Sequence, residues 1–213
     1  MMRFHGYFRS SAAYRCRIAF NLKGVSPQFV PVHLRRGEQH ADGFAALNPQ
    51  RLVPALEVDG HVLTQSLAIV EWLEETRPQP PLLPAEPFAR AAVRAFALAI
   101  AAEIHPLDNL RVLAYLKGAL GHDQATVDTW YRHWVAEGLA ACEALVARDG
   151  GGAFCFGDAP GLADLCLVPQ LYNARRFGCD LAGVPRLVAI DAACAAHPAF
   201  AAAHPDRQPD AEL

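Results

Sequence analysis

The sequence predicts two successive domains, an α/β domain at 1–82 and an all-helical domain at 88–213. Three observations predict this division. Strand and helix patterns alternate in the first part of the chain, in the order βαβ and then αββα. The segment 77–87 contains five of the 16 prolines, and proline neither continues a helix nor donates to a strand ladder. From Phe88 onward the chain is rich in alanine and has almost no strand signal.

The first domain is predicted to contain four strands and three helices. The strand segments lie at 4–8, 28–33, 55–58 and 61–64. The helical segments begin at Ser10 or Ser11, at Asp42 and at Ser66. Pro31 places the second strand at an edge of the sheet. Asp59-Gly60 is typical of the tight turn that joins two antiparallel strands.

The second domain is predicted to contain four helices. The first runs from Phe88 to about Leu116, and Pro106 kinks or breaks it near Ile104. The others run from Asp123 to about Arg148, from Gly161 onward and from Pro185 onward. Asp164 lies three residues past Gly161, where its carboxylate can accept a hydrogen bond from the cap N–H. The last residues, 205–213, are predicted to form a frayed tail.

The composition excludes several kinds of function. The 19 basic and 22 acidic residues give a net charge of -3, so no basic field attracts nucleic acid. The longest apolar run, 95–102, is much shorter than the roughly 20 residues that cross a bilayer. The N-terminus lacks the apolar core of a secretory signal, so a cytoplasmic protein is expected. The six cysteines lack the spacing of a metal site, so we expect no metal and mostly buried thiols.

The strongest candidate binding feature is the junction between the first strand and the first helix, where Ser10 and Ser11 lie. The unpaired N–H groups and the partial positive charge at a helix start stabilise an anion, and a thiolate is such an anion. The alternative interpretation is that either serine serves only as an N-cap.

Two further features lie in the same predicted domain. A cis peptide bond at Pro54 would turn the backbone of Val53 outward to pair with an extended peptide, whereas a trans proline is the ordinary alternative. Gln65 and Ser66 begin another helix, which either receives an anion or carries a simple cap. Together with the serine junction, these features favour a site for an extended, acidic peptide that carries a thiol.

These motifs carry a resemblance to the zeta-class glutathione transferases of the maleylacetoacetate isomerase and maleylpyruvate isomerase type. It extends from Arg3 to about Pro209. The motifs are RSS at 9–11, RCRIA at 15–19, ALNPQRLVPAL, QSLAIVEWLEE and IHPLDNLRVL. The resemblance implies a thioredoxin-like N-terminal domain, an all-α C-terminal domain, glutathione as the cofactor and a homodimer.

The resemblance also implies which residues form the site. Ser10 or Ser11, with Arg9 beside them, would hold the sulfur of glutathione as a thiolate, and Ala12 stands where the family carries a cysteine. The implied glutathione contacts are Gln39, His40, Val53, Pro54, Gln65, Ser66, His105 and Asn109. The implied contacts to a dicarboxylate substrate are Arg9, Arg111 and Arg176, because the planar guanidinium binds a carboxylate through two hydrogen bonds. Arg175 competes with Arg176 for this role, and His105 alternatively fills the wall between the domains.

The reaction that the resemblance implies is the isomerisation of a cis double bond conjugated to a carbonyl, in the breakdown of aromatic compounds. The thiolate adds, the bond becomes single and turns, and elimination restores the double bond and the glutathione. The substrate is maleylacetoacetate or maleylpyruvate. One alternative is a general glutathione transferase or peroxidase that acts on small electrophiles, and another is a non-enzymatic binding module of the same fold. Arg15 and Arg17 are interpreted as structural or interface residues.

Overall fold

The computed structural model describes residues 1–212 and divides the chain into two compact units. The first unit is Met1–Leu82 together with the C-terminal segment from Ala195, and the second unit is Leu83–Cys194. The sequence placed the whole of 88–213 in the helical domain, and the structure differs at the C-terminus. Side chains of the first helix hold the C-terminal segment, because Arg17 Nε and Asn21 Nδ2 donate to the carbonyls of Ala203 and Ala199 at 3.0 and 2.8 Å.

The first unit is built on a four-stranded sheet. Its strands are β1 (Met2–Gly6), β2 (Gln28–Pro31), β3 (Ala55–Val58) and β4 (His61–Thr64). Their spatial order is β2-β1-β3-β4, with β1 and β2 parallel and the other neighbours antiparallel. The predicted edge position of β2 is therefore confirmed. Asp59 and Gly60 have φ values of 49° and 82°, as the tight turn between β3 and β4 requires.

Three helices of the first unit follow the predicted positions. They are α1 (Ser11–Leu22), α2 (Asp42–Leu47) and α3 (Ser66–Thr76). Two short 3₁₀ turns, Leu34–Arg36 and Glu38–His40, precede α2. The order βαβ and then αββα is thus confirmed, and α1 packs against α3.

The second unit is helical. Its helices are α4 (Pro87–Leu98), α5 (His105–Leu107), α6 (Leu110–Gly118), α7 (Gln124–Asp149), α8 (Leu162–Arg176) and α9 (Pro185–Ala196), with a π-helical segment at Ala99–Ile104. The chain stays helical past Pro106 as far as Leu107, so the predicted kink or break near Ile104 takes the form of this π-helical segment. Pro106 has no N–H to donate to the preceding turn, and the helix widens into the π-helical segment just before it. No helix among residues 1–212 is both long and apolar enough to cross a membrane.

The start of α8 has the predicted cap. Asp164 Oδ2 accepts a hydrogen bond from the N–H of Gly161 at 2.8 Å, and its other oxygen accepts from the N–H of Cys155 at 2.9 Å. Asp164 is buried, and its carboxylate satisfies two backbone donors at the start of the helix.

The C-terminal segment is ordered by contacts with the first unit. It contains α10 (Pro198–Ala203) and a 3₁₀ turn at Pro205–Arg207. Beyond the turn, Asp210 accepts a hydrogen bond from the backbone of Phe8, and Glu212 pairs with His33. The predicted frayed tail is therefore wrong up to residue 212, because these contacts depend on residues almost the whole chain length away. Leu213, the last residue of that predicted tail, lies outside the described residues.

Candidate active site

Ser10 is the N-cap of α1. Its backbone is extended, with φ -67° and ψ 119°, and its Oγ accepts a hydrogen bond from the N–H of Ala13 at 3.2 Å. The first turn of α1 contains no acidic residue, so no side chain of the helix neutralises the positive end of the dipole. Ser10 is half-buried, and its hydroxyl proton can still be donated while the oxygen accepts. Ser11, the first residue of the helix, is buried.

Arg9 precedes the cap and is held by aromatic rings. Its guanidinium carbon lies 4.9 Å from the ring centroid of Phe8, and Nη2 donates to the hydroxyl of Tyr7 at 3.3 Å. Such stacking orients a guanidinium while leaving most of its N–H groups for other acceptors. The structure thus places a cation beside the N-cap serine, within one strand-to-helix turn.

Val53 lies close to this turn, although 43 residues separate it from Ser10 in the chain. It belongs to a buried apolar cluster that also contains Tyr7 and Phe8. The peptide bond between Val53 and Pro54 is cis, which decides the alternative that the sequence left open.

The start of α3 is a second helix end without an acidic residue in its first turn. Gln65 has a φ of 68°, and its Nε2 donates to Gln50 Oε1 at 2.9 Å. Ser66 is buried, and its Oγ accepts a hydrogen bond from Nη1 of Arg15 at 3.3 Å.

Arg15 is the residue that sequence reasoning missed at this site. Its side chain runs from α1 to the start of α3, and the residue is 2% exposed. Nε and Nη2 are buried and have no hydrogen-bond partner. A buried guanidinium with two unsatisfied donors is costly unless an acceptor arrives, so these donors fit an anionic ligand at α3. No local signal indicates this contact, because Arg15 and Ser66 are 51 residues apart.

Gln39 and His40 lie on the 3₁₀ turn before α2. Oε1 of Gln39 is buried without a hydrogen-bond partner, whereas His40 is exposed. An unsatisfied buried amide oxygen can accept a hydrogen bond from a ligand N–H, whereas His40 offers only a solvated side chain.

Three of the predicted site residues of the second unit lie between the start of α5 and the first turn of α6. His105 begins α5 and is half-buried. Asn109 is the N-cap of α6, where its Oδ1 accepts from the N–H of Arg111 at 3.1 Å. The side chain of Arg111 is exposed.

The segment that carries Asn109 and Arg111 is anchored from two other helices. Asp108 is buried, and its Oδ2 accepts from Nε2 of Gln170 in α8 at 2.7 Å. Trp130 of α7 donates to the carbonyl of Leu107 at 2.8 Å. These contacts hold the short connection between α5 and α6 in one position.

Arg176 and its neighbour Arg175 have different partners at the end of α8. Nη1 of Arg176 donates to Asn173 Oδ1 at 3.0 Å, and its guanidinium lies 5.6 Å from the ring centroid of Phe177. Arg175 forms an ion pair with Asp191 at 2.6 Å. Arg175 is therefore neutralised within the unit, which leaves Arg176 as the better candidate for a ligand carboxylate.

The cysteines of the chain are poor candidates for a reactive thiolate. Five of the six are buried, as expected, and the sixth, Cys179, is half-buried. Burial raises the pKa of Cys142 to about 12 and also raises the pKa of Cys155 and Cys194. These thiols stay protonated near neutral pH. Among residues 1–212, no group of three or more His, Cys, Asp and Glu side chains could hold a metal ion.

Comparison with known proteins identifies the family to which this fold belongs. Residues 9–76 match the family described as the glutathione S-transferase N-terminal domain. The maleylacetoacetate isomerase of Rhizobium meliloti (strain 1021) is 52% identical over 203 residues, which are 95% of this chain and 95% of that protein.

Two solved structures are closely similar. The holo structure of a maleyl pyruvate isomerase, described as a bacterial glutathione S-transferase of the zeta class, has a TM-score of 0.96 and 47% identity, and the match covers 99% of this chain and 100% of that one. The maleylacetoacetate isomerase of Anaeromyxobacter dehalogenans 2CP-1, with bound dicarboxyethyl glutathione and citrate in its active site, has a TM-score of 0.89 and 47% identity, covering 100% and 98%.

The four-stranded sheet and the helical second unit are the architecture of a glutathione transferase. Within that class, the chain belongs to the zeta-class family of maleylacetoacetate and maleylpyruvate isomerases. The family, the fold class and glutathione as the family's cofactor are as the sequence predicted.

Proposed function

We propose that this chain is a glutathione-dependent isomerase that converts maleylacetoacetate or maleylpyruvate to its fumaryl isomer. The observation that carries the proposal is the 52% identity to a maleylacetoacetate isomerase over 95% of both chains. The junction of Arg9 and Ser10 supports it, because a half-buried hydroxyl at an acid-free helix start and an adjacent guanidinium suit both a thiolate and a carboxylate substrate.

The residues present fit glutathione. The hydroxyl of Ser66, the start of α3 and the unsatisfied donors of Arg15 suit the carboxylate of its γ-glutamyl end. Gln65, whose backbone turns at positive φ, would contact the same end. The unsatisfied oxygen of Gln39 suits an N–H near the glycyl end, and His40 is proposed beside it.

The remaining contacts are proposed on the family resemblance. The backbone of Val53, which precedes Pro54, would pair with the cysteinyl residue. From the second unit, His105 and Asn109 would contribute further polar contacts to glutathione. None of these assignments requires a cysteine of the chain, and Ala12 has no group that could replace one.

The protein contributes charge stabilisation to the reaction. When bound, glutathione supplies a thiolate that adds reversibly to the conjugated double bond and is recovered unchanged. Ser10 donates its hydroxyl proton toward the sulfur, and the first-turn N–H groups of α1 favour the anionic form, so the thiol pKa is lowered. Arg9, Arg111 and Arg176 bind the carboxylates and stabilise the negative charge that develops on the carbonyl oxygen.

The proposal includes a homodimer in the cytoplasm. The dimer rests on the family resemblance, and sedimentation at several protein concentrations tests it. The cytoplasmic setting is supported by cysteines that form no disulfide among the described residues, as a reducing compartment favours.

The proposed reaction is tested by assaying the purified protein with glutathione and each maleyl substrate in parallel, with NMR detection of the fumaryl product. We expect at least one substrate to be converted much faster than by glutathione alone, and the comparison identifies the preferred one. No acceleration with either substrate would overturn the proposal.

Variants of the three arginines separate this proposal from a general glutathione transferase. Arg9→Ala, Arg111→Ala and Arg176→Ala should each raise KM for the diacid by about tenfold, as the loss of one charged hydrogen bond predicts. Conjugation of a neutral electrophile should change little in Arg111→Ala and Arg176→Ala, whereas Arg9→Ala also removes a cation beside the thiolate and should affect both reactions. Equal losses on both substrates for Arg111→Ala and Arg176→Ala would favour the general transferase.

A further inference from the structure

The C-terminal segment contacts the turn that carries the proposed catalytic residues. We propose that Asp210 is a positioning residue of the glutathione site, which holds the turn at Tyr7–Ser10 so that Arg9 and Ser10 face the ligand. This inference rests on the proposed function in so far as Arg9 and Ser10 contact glutathione.

The contact is made to the backbone of Phe8. The N–H of Phe8 donates to Oδ2 of Asp210 at 2.9 Å, although the two residues are 202 positions apart. The carbonyl of the same residue accepts from Nη2 of Arg17 at 2.9 Å. Arg17 is buried, and its Nε donates to the carbonyl of Ala203 at the end of α10. Both polar groups of Phe8 are therefore held, one by the C-terminal segment itself and one through an arginine that the segment also binds.

Phe8 in turn determines where the proposed catalytic residues lie. It stands between the end of β1 at Gly6 and the cap of α1 at Ser10, and the N–H of Ser10 donates to the carbonyl of Tyr7 at 3.0 Å to close the turn. The guanidinium carbon of Arg9 stacks over the ring of Phe8, 4.9 Å from the ring centroid. A displacement of Phe8 would therefore move both the stacked cation and the cap serine.

The neighbouring residue keeps Asp210 in place. Ala211 packs against the apolar cluster that contains Tyr7, Phe8 and Val53. This packing places Ala211 against the cluster to which Tyr7 and Phe8 of that turn belong. The segment is thus docked by apolar contact, and Asp210 adds one directed hydrogen bond to that docking.

The charge on Asp210 makes a purely stabilising role a poor explanation. Its Oδ1 is buried without a hydrogen-bond partner, and burial raises the pKa of its carboxyl, although the N–H of Phe8 and the charges of Arg17 and His33 lower it. A carboxylate with one unsatisfied oxygen loses hydration that a single hydrogen bond only partly replaces. Its contribution is to orient the backbone of the turn, because Oδ2 accepts a hydrogen bond from the N–H of Phe8.

Three variants test the inference. Asp210→Ala removes the acceptor, Asp210→Asn keeps an acceptor oxygen without the charge, and Glu212→Gln is the matched control in the same segment. Glu212 pairs with His33 and Arg35 rather than with Phe8, so its loss should leave the hydrogen bonds of Phe8 intact. The readouts are the Kd of glutathione by calorimetry, the pKa of the bound thiol by thiolate absorbance near 240 nm, and Tm.

We expect Asp210→Ala to weaken glutathione binding about tenfold, which is the effect of one hydrogen bond, and to raise the pKa of the bound thiol. Asp210→Asn and Glu212→Gln should stay within about twofold of the original protein. A lower Tm for Asp210→Ala with unchanged Kd and thiol pKa would show a merely structural residue and overturn the inference.

A substitute variant is available at Asp210, and the binding measurements are independent of isomerase activity. If Asp210→Ala does not fold, Asp210→Ser replaces it, because its shorter polar side chain fills part of the site but does not reach the N–H of Phe8. The Kd and thiol pKa do not depend on turnover of a maleyl substrate. A protein that binds glutathione but isomerises neither substrate would therefore contradict the proposed function. The role of Asp210 would still be tested by the Kd and thiol pKa of its variants.

Discussion

The two units bury side chains of opposite charge. Among residues 1–212, the buried Arg and Lys side chains belong to the first unit, where Arg15, Arg17 and Lys23 lie on α1 or at its end. The second unit buries Asp108, Asp164 and Asp191 instead. The first unit also buries one carboxylate, Glu74, which pairs with Lys23 at 2.6 Å.

The buried cations and the buried anions bond to different backbone groups, carbonyls in the first case and N–H groups in the second. In the first unit, Arg17 and Lys23 donate to backbone carbonyls, including those of Phe8, Ala203, Arg77 and Pro80. In the second unit, Asp164 accepts from backbone N–H groups at the start of α8. The helix start of α8 is therefore occupied by an acid of its own chain, whereas the starts of α1 and α3 have no acid in their first turns.

This difference shows how to tell a structural helix start from one that suits a ligand. Both kinds present N–H groups and a partial positive charge. Where the chain supplies a buried carboxylate, the helix start is used for folding. Where it supplies hydroxyls and nearby guanidinium groups, as at Ser10 and Ser66, the start suits an anion that comes from outside.

The largest effect is expected at the buried cation Lys23. Its side chain is 0% exposed, and Nζ donates to Glu74 and to the carbonyls of Arg77 and Pro80 at 2.6 to 2.7 Å. Lys23→Met removes the buried cation that pairs with Glu74 and takes the donor away from the carbonyls of Arg77 and Pro80, so the free energy of unfolding should fall by about 3 to 5 kcal/mol in a urea titration. Lys117→Met, at an exposed position, is the control and should change it by less than about 0.5 kcal/mol. Similar losses of unfolding free energy in the two variants would show that the buried contacts of Lys23 do not stabilise the first unit.

The buried anion Asp164 should come next. Asp164→Ala leaves the N–H groups of Gly161 and Cys155 without their acceptor, and we expect the free energy of unfolding to fall by about 2 to 3 kcal/mol. Glutathione affinity should be retained at temperatures where the variant is folded. Asp158→Ala, at an exposed aspartate in the same unit, serves as the control. A variant that stays stable but loses glutathione binding would contradict the structural role of this helix start.

A smaller effect on stability, but a large one on chemistry, is expected at Ser10. Ser10→Ala removes the cap to Ala13 and should lower the free energy of unfolding by about 1 kcal/mol. It should also raise the pKa of the thiol of bound glutathione and lower kcat by at least about tenfold. Ser11→Ala is the matched comparison, because the sequence left both serines open. If Ser11→Ala has the larger effect on the thiol pKa, the assignment passes to Ser11.

The smallest effect is expected from an ion pair at the sheet surface of the first unit. His5 and Arg3 contact Glu57 Oε1 at 2.6 and 3.1 Å, and the hydrogen bond from His5, together with both charges, lowers the pKa of Glu57 below 4.5. A lowered carboxyl pKa contributes stability above the unfolded pKa, and this stability is lost as the pH falls through the folded pKa.

The Tm of the original protein should therefore fall more between pH 6 and about pH 3 than the Tm of Glu57→Gln. The control is Glu137→Gln, which alters an exposed pair with His133 in the second unit and should follow the original protein. Parallel Tm curves for Glu57→Gln and the original protein would show that this pair adds nothing.

The elements that the sequence predicted well are those with local causes. The tight turn at Asp59-Gly60 and the cap between Gly161 and Asp164 each depend on residues within four positions of one another. The same holds for Ser10, whose cap to Ala13 spans three residues. For these features, the interaction that creates the structure lies within the pattern that predicts it.

The missed features depend on contacts between distant parts of the chain. Arg15 reaches Ser66 across 51 residues, and Arg17 reaches Ala203 across 186. Asp210 reaches Phe8 across 202 residues, so the tail that local composition predicted to be frayed is held in the first unit. In each case the partner is a backbone group or a hydroxyl, which no residue pattern identifies.

The sequence by itself determined the strand and helix order of the first unit, the family and the serine-bearing helix start, because apolar periodicity, proline and capping act over a few residues. Only the tertiary structure decided which charges are buried, that Arg15 reaches Ser66 at the start of α3 and that the C-terminal segment bonds to the backbone of Phe8. The physical reason is that a buried charge requires a hydrogen-bond partner, and folding brings that partner from a remote part of the chain.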